Sequence, residues 1–311
     1  MTRVAAIDCG TNSIRLLVAD VDPDAGTLRD VERVMQVVRL GEGVDRTGRL
    51  SDAALARTFA ATEEYARTCE RLGAQRVRFV ATSASRDAEN RDVFVSGVRQ
   101  RIGVEPQVVP GSEEAALSFA GATRELLADG LTGPFVVVDL GGGSTEVVRG
   151  GSSVEAALSV DIGCVRMTER HLADDPPSSQ QIAAARRDIE AALDRVAEVV
   201  PLHGASSLVG LAGTVTTITA CALGLESYDA DRIHRTRLPV ERVREACDRL
   251  LHATRAERAA LPYMHPGRVD VIGGGALIWR CVVDRLVACS GITEVVTSEH
   301  DILDGIAFSI A

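Results

Sequence analysis

The sequence predicts an α/β protein of two similar lobes, each a mixed sheet covered by helices. Three observations carry this reading. Apolar runs of strand length alternate with segments of helical periodicity in the order βββαβαβα. After Gly130-Leu131-Thr132-Gly133-Pro134 the pattern starts again. Finally, Asp8-x-Gly10-Thr11-Asn12-Ser13 and Asp139-x-Gly141-Gly142-Gly143-Ser144 can be laid over each other, 131 residues apart, each between two strands that open a lobe. That spacing is too long for a solenoid and marks a duplicated domain.

Val4 to Asp8 and Ser13 to Asp20 read as a hairpin around the polar turn Cys9-Gly10-Thr11-Asn12. Leu28 to Leu40, with Val31, Val34, Val37 and Val38, supplies a third strand. Ser51 is a good N-cap, and Leu55, Phe59, Thr62 and Ala66 recur at helical spacing, so Asp52 to Leu72 is a helix. A strand at Val77 to Thr82, a helix at Val93 to Ile102 and a strand at Val104 to Val109 follow. Ser112 is expected to cap a helix from Glu113 to about Asp129. In the second half, strands are expected at Phe135 to Val138, Ser144 to Arg149, Val154 to Val160, Ser207 to Ala212 and Glu294 to Thr297. Helices are expected from Ser179 to about Val200, Val215 to Leu223 and Val240 to His252, with a closing helix from about His300. The lobes divide as 1–127 and 128–311, and the last helix, about 300–311, is able to pack back on the first lobe.

Composition narrows the chemistry. The 311 residues are 46% hydrophobic and 25% charged, an ordinary globular balance that excludes disorder, collagen and coiled coil. All 34 basic residues are arginine, which excludes a phosphate-loop lysine, a Schiff-base lysine and a lysine base. Only 3% of residues are aromatic, so a base-stacking nucleic-acid platform is poorly supplied. Seven scattered cysteines without a Cys-x-x-Cys read as reduced core thiols. There is no signal-like leader and no 18-residue apolar run, so the expectation is a cytoplasmic protein without membrane partners.

Glycine lets backbone N–H groups converge on an anion, and Thr11, Asn12, Ser13 and Ser144 add side-chain donors. The strand-end aspartates repel phosphate, so they suit a divalent cation or a water. One such turn reads equally well as an ordinary glycine-rich hairpin; two in register favour phosphate. A third element, Gly210-Leu211-Ala212-Gly213-Thr214, sits at a strand-to-helix transition, where free N–H groups attract anions. Gly273-Gly274-Gly275-Ala276 reads as either close helix packing or ligand contact.

Taken in order, Asp8-x-Gly10-Thr11-Asn12-Ser13-x-Arg15-Leu16, Ala81-Thr82-Ser83-Ala84-x-Arg86, Gly111-Ser112-Glu113-Glu114-Ala115, Asp139-x-Gly141-Gly142-Gly143-Ser144-Thr145-Glu146 and Gly210-Leu211-Ala212-Gly213-Thr214 span most of the chain. Together they resemble the exopolyphosphatase/guanosine pentaphosphate phosphatase (Ppx/GppA) family in its short two-domain form, of the actin and sugar kinase type. The resemblance implies two actin-like (ribonuclease H-like) lobes with the active site in the cleft between them. It implies Glu114 as the base that activates water, and Arg86 as an arginine that binds the phosphate chain. Gly10, Thr11, Asn12, Ser13, Gly141, Gly142, Gly143, Ser144, Gly213 and Thr214 are the implied phosphate-binding residues. Asp139 and Glu146, with Asp8, are the candidate ligands of an implied Mg2+ or another divalent cation. Where the family more often has Ser-Gly before the acidic pair, this chain has Pro110-Gly111-Ser112-Glu113, so Glu113 stays open as a partner or substitute for Glu114.

The implied reaction is metal-dependent hydrolysis of the terminal phosphoanhydride bonds of inorganic polyphosphate, with short chains preferred. The alternative within the family is conversion of guanosine pentaphosphate to tetraphosphate, a stringent-response activity. Remoter alternatives are a small-molecule kinase of the same fold and a non-catalytic sensor. The family suggests a homodimer. A polyanion meeting a protein of net charge −10 needs local positive charge, for which Arg15, Arg86, Arg166 and the run Arg232, Arg235, Arg237 are candidates beside the ordinary reading of solvated surface residues. No metal-binding cluster stands out among the six histidines.

Overall fold

A computed structural model describes every residue except Asp129 and Leu131. The chain divides into two compact units, Met1–Gly121 with Ile302–Ala311, and Ala122–Asp301. The expected helix end near Asp129 and the linker residue Leu131 lie outside the described residues.

In the first unit β1 (Thr2–Cys9), β2 (Ser13–Asp22) and β3 (Thr27–Val37) form an antiparallel meander. After α1 (Val44–Thr47) and α2 (Asp52–Leu72), β4 (Arg76–Ala81) joins β1 in parallel. Then come α3 (Ser83–Asp87), α4 (Arg91–Ile102), β5 (Gln107–Val108) and α5 (Gly111–Ala128), giving the sheet order β3-β2-β1-β4-β5. The Ser51 hydroxyl accepts from the Ala54 N–H at 3.2 Å, so α2 starts where its cap signal stands. Helix α5 begins two residues before its expected start. Pro110 accepts the N–H groups of both Glu113 and Glu114 through its carbonyl, so Ser112 lies inside the helix rather than capping it.

The second unit repeats the plan with β6 (Phe135–Leu140), β7 (Thr145–Gly150) and β8 (Val154–Val160), followed by α6 (Cys164–His171) and α7 (Ser179–Val199). β9 (Ser207–Leu211) pairs in parallel with β6 and leads into α8 (Ala212–Leu223). The remaining elements are α9 (Ala230–Ile233), β10 (Arg237–Pro239), α10 (Val240–His252), α11 (Arg255–Ala259), α12 (Ile272–Ser290), β11 (Glu294–Thr297) and α13 (Ile302–Ser309). The sheet order is β10-β11-β9-β6-β7-β8. Helix α12 escaped the sequence reading because it opens on three glycines, each costing about 1 kcal/mol of helix propensity. Those at 274 and 275 are packing glycines: a Cβ would meet Thr168 Oγ1 and the Cys164 carbonyl, or the Thr214 side chain. Short α6, α9, α11 and β10 likewise carry too little periodicity to announce themselves.

Strand β1 is apolar on both faces because both are covered. Ala5 and Ile7 pack with Leu55, Tyr65 and Phe94 under α2 and α4, while Val4 and Ala6 pack with Ile302, Leu303 and Ile306 of α13. A strand buried on both faces reads as a continuous run rather than an alternation. Helix α13 is held in place by polar contacts as well. Arg33 of β3 donates to both oxygens of Asp304, at 2.7 and 3.3 Å, and that carboxylate is only 1% exposed. A Cβ at Gly305 would run into the Leu117 carbonyl. No helix among the described residues is long and apolar enough to cross a membrane.

Two substitutions test this packing with opposite signs. Arg33→Ala strips a partner from a buried carboxylate and is expected to cost about 3 kcal/mol in urea unfolding. Ser85→Ala removes a fully buried hydroxyl that has no hydrogen-bond partner among the described residues, and should stabilise by about 1 kcal/mol.

Candidate active site

In the first unit the β1–β2 turn closes with the Gly10 N–H donating to the Ser13 carbonyl at 3.0 Å. The loop after β3 braces it: Val38 and Arg39 donate to the Asn12 carbonyl, and Gly41 to that of Thr11. The Thr11 hydroxyl lies 2.9 Å from that of Ser83, which ties the turn to the start of α3. Asp8, the candidate cation ligand here, is held by Arg15 from directly across the hairpin, with Nε at 3.0 Å and a terminal nitrogen at 2.7 Å.

At the end of α3, Arg86 donates from one terminal nitrogen to the Val109 carbonyl at 2.9 Å and to Glu114 Oε2 at 3.0 Å. The structure thus attaches the arginine expected on the phosphate chain to the expected catalytic carboxylate. Glu114 is buried in the first turn of α5, where the helix dipole favours a carboxylate. Glu113 turns the other way, to Arg78 of β4, and is far more exposed. The two glutamates therefore have different partners, and Glu114 is the one whose carboxylate the fold holds in a buried, bonded position.

The second turn closes with the same bond as the first, Gly141 N–H to the Ser144 carbonyl at 3.0 Å. Its three glycine carbonyls are taken by α6. Cys164 N–H donates to Gly141, Val165 and Arg166 N–H to Gly142, and Arg166 Nε to Gly143 at 2.7 Å. Peptide planarity then directs the following N–H groups, those of Gly142, Gly143 and Ser144, away from α6. Among the described residues the Gly142 and Gly143 N–H groups meet no acceptor, and the Ser144 hydroxyl has no partner. Such convergent donors make an anion nest. Gly163 must be glycine for α6 to come this close, since a Cβ would meet the Gly142 carbonyl.

Behind the nest, Asp139 and Glu146 are register partners on β6 and β7, so their side chains share one face of the sheet. Both are buried. Two like charges at this spacing repel unless a cation or a proton lies between them. Hard carboxylate oxygens are the donor chemistry of Mg2+, so this pair fits a divalent cation; the matching position in the first unit pairs Asp8 with Arg15.

The third element enters α8 through Ala212, whose φ of 69° lies in the left-handed region that a residue with a Cβ rarely adopts. Gly210 is glycine because Trp279 packs on it. At Gly213 the missing Cβ makes room for the guanidinium of Arg268, which donates to Thr217 Oγ1 at 2.9 Å. Arg268 was not singled out from the sequence; it sits among turns with no motif around it, and only the packing on Gly213 reveals it. Thr214 touches Gly275, which in turn lies against Cys164, so the second turn, α6, α8 and α12 converge within the second unit. Arg237 lies on β10, at the sheet edge, away from this convergence.

The fold also gathers Glu125, His234 and His300, three residues far apart in sequence. Two features argue against a metal there. The Glu299 N–H donates to His234 Nδ1, which puts the ring proton on Nε2, facing Glu125 at 3.0 Å. The two rings are stacked, 4.6 Å apart and 21° from parallel, so their in-plane lone pairs do not meet at one point.

The glycine turn in each unit, with the buried carboxylates and arginines of that unit, is the equipment of a phosphoryl-handling enzyme. The Ppx/GppA phosphatase family model matches residues 17–309. Exopolyphosphatase 2 of Mycobacterium tuberculosis is 52% identical over all of this chain and 99% of its own length. The crystal structure of an exopolyphosphatase-like protein is 45% identical, with a TM-score of 0.96 over 99% of this chain and 97% of that one. A PPX-GPPA enzyme of Aquifex aeolicus is 28% identical, with a TM-score of 0.81 over 99% of each chain. The chain belongs to the Ppx/GppA phosphatase family.

Two predictions follow from the contacts. Arg86→Ala removes one of the groups that orient the Glu114 carboxylate and should lower kcat by about tenfold or more while KM changes less, as steady-state kinetics would show. Burial holds the His234 imidazole below the usual histidine range, against the opposing pull of Glu125. The unfolded chain then takes up a proton near pH 6.5 that the folded ring resists, so stability is lost as pH falls below about 6.5. In urea unfolding at pH 8 and 5.5, His234→Gln should show a smaller loss than the unsubstituted protein.

Proposed function

We propose that this protein is an exopolyphosphatase, releasing orthophosphate from the ends of inorganic polyphosphate. The observation that carries the reading is the nest of the second turn, whose donors are left for an anion because α6 takes the three glycine carbonyls. The family membership and the 52% identity to a protein named exopolyphosphatase 2 support it. In the second unit Gly142, Gly143 and Ser144 hold phosphate oxygens, Arg166 holds the Gly143 carbonyl, and Arg268 packs on Gly213 and bonds the Thr217 hydroxyl. In the first unit Glu114, oriented by Arg86, accepts the proton of the attacking water, the role of a carboxylate held within hydrogen-bond reach. Asp139 and Glu146 hold a divalent cation, Mg2+ by preference, which when bound neutralises phosphate charge.

The decisive measurement is phosphate release from polyphosphate of defined length beside guanosine pentaphosphate. Polyphosphate is expected to turn over faster, and a marked preference for guanosine pentaphosphate would overturn the reading. Glu114→Gln should keep polyphosphate binding and lose about a hundredfold in turnover. Gly143→Val, whose side chain fills the nest, should weaken binding more than Ser144→Ala. Chelation of divalent cations should abolish activity, and added Mg2+ should restore it.

A further inference from the structure

The two duplicated hairpins allow a comparison rung by rung. Across β6, β7 and β8 the register places Asp139, Glu146 and Ser159 in one row. Across β1, β2 and β3 the matching row is Asp8, Arg15 and Met35. In the first row the middle residue is Arg15, which pairs with Asp8, and the outer position carries an apolar thioether. In the second, the middle residue is a carboxylate, and the outer position carries a hydroxyl that donates to it: Ser159 Oγ lies 2.7 Å from Glu146 Oε1.

We propose that Ser159 is a positioning residue for the cation held by Asp139 and Glu146. This rests on the cation reading above. A glutamate has three side-chain torsions, and an oxygen tied to the neighbouring strand sets the carboxylate plane and decides which oxygen is presented toward Asp139. The bond also neutralises part of the charge on a buried anion that faces another anion across the hairpin. Hydrogen-bond partners of metal ligands act in this way, and losing one typically weakens metal binding about tenfold or more. The first hairpin shows the converse. Where an ion pair replaces the two carboxylates, the matching outer position is Met35 and carries no hydroxyl, which ties Ser159 to the carboxylate pair rather than to hairpin geometry.

The test is Mn2+ binding to the full chain, followed by electron paramagnetic resonance of the free ion and independent of turnover. The unsubstituted protein should bind Mn2+, Glu146→Gln should abolish that binding, and Ser159→Ala should weaken it about tenfold. Ser159→Thr, which keeps the hydroxyl on a strand that tolerates a β-branched residue, should restore most of it. Urea unfolding of each variant without metal separates a loss of folding from a loss of binding. If Ser159→Ala binds within twofold of the unsubstituted protein, or if Ser159→Thr is as weak as Ser159→Ala, the positioning role is overturned. If the unsubstituted protein binds no Mn2+, or Glu146→Gln binds as well as it does, the cation reading itself fails and takes this role with it.

Discussion

The second unit turns on one constraint, the capture of three successive glycine carbonyls by α6 and Arg166. A helix start has N–H groups without intrahelical acceptors, and here the turn provides the acceptors. Because each peptide is planar, a carbonyl drawn to one side sends the next N–H to the other. The result is a patch of donors built from backbone, in a protein that has no lysine to place there. Glycine is needed at 163 for the approach of the helix, where a Cβ would meet the Gly142 carbonyl.

The same turn in the first unit has a different support. Its Thr11 and Asn12 carbonyls are taken by the loop after β3 rather than by a helix, and Gly41 is glycine because a Cβ would meet Thr11. One closing bond, Gly10 to Ser13 or Gly141 to Ser144, survives in both copies at the same length. What has diverged is the rung beside it. An aspartate facing an arginine makes an ion pair, and an aspartate facing a glutamate sets two buried carboxylates on one face of the sheet. Sequence duplication therefore conserved the shape of the turn and changed its electrical character.

Arginine does several jobs in this molecule that a compact ammonium would not. Arg268 lies flat in the space left by Gly213, and Arg33 engages both oxygens of Asp304. Each use depends on the planar fork of the guanidinium. The partners also separate two adjacent glutamates, since Glu113 pairs outward with Arg78 and Glu114 inward with Arg86.

Much of this was legible in the chain before folding. The two glycine turns declare themselves because glycine at close backbone approaches has no substitute, and helix α2 because its cap and apolar face are local signals. Strands β8 and β11 and helix α10 run where their apolar residues say, for the same reason. Helix α12 and Arg268 were not legible. The glycines that open α12 argue locally against a helix, and only contacts with Thr168, Cys164 and Thr214 explain them. Arg268 owes its place to a missing Cβ more than fifty residues earlier. The pairing of Asp139 with Glu146 and of Asp8 with Arg15 lies between these cases: both pairs are seven residues apart in sequence, but strand register decides that they face each other. The sequence by itself determined the turns, because their conformations are local. Only the tertiary structure decided which charges meet, because charge pairing depends on distances that no local signal records.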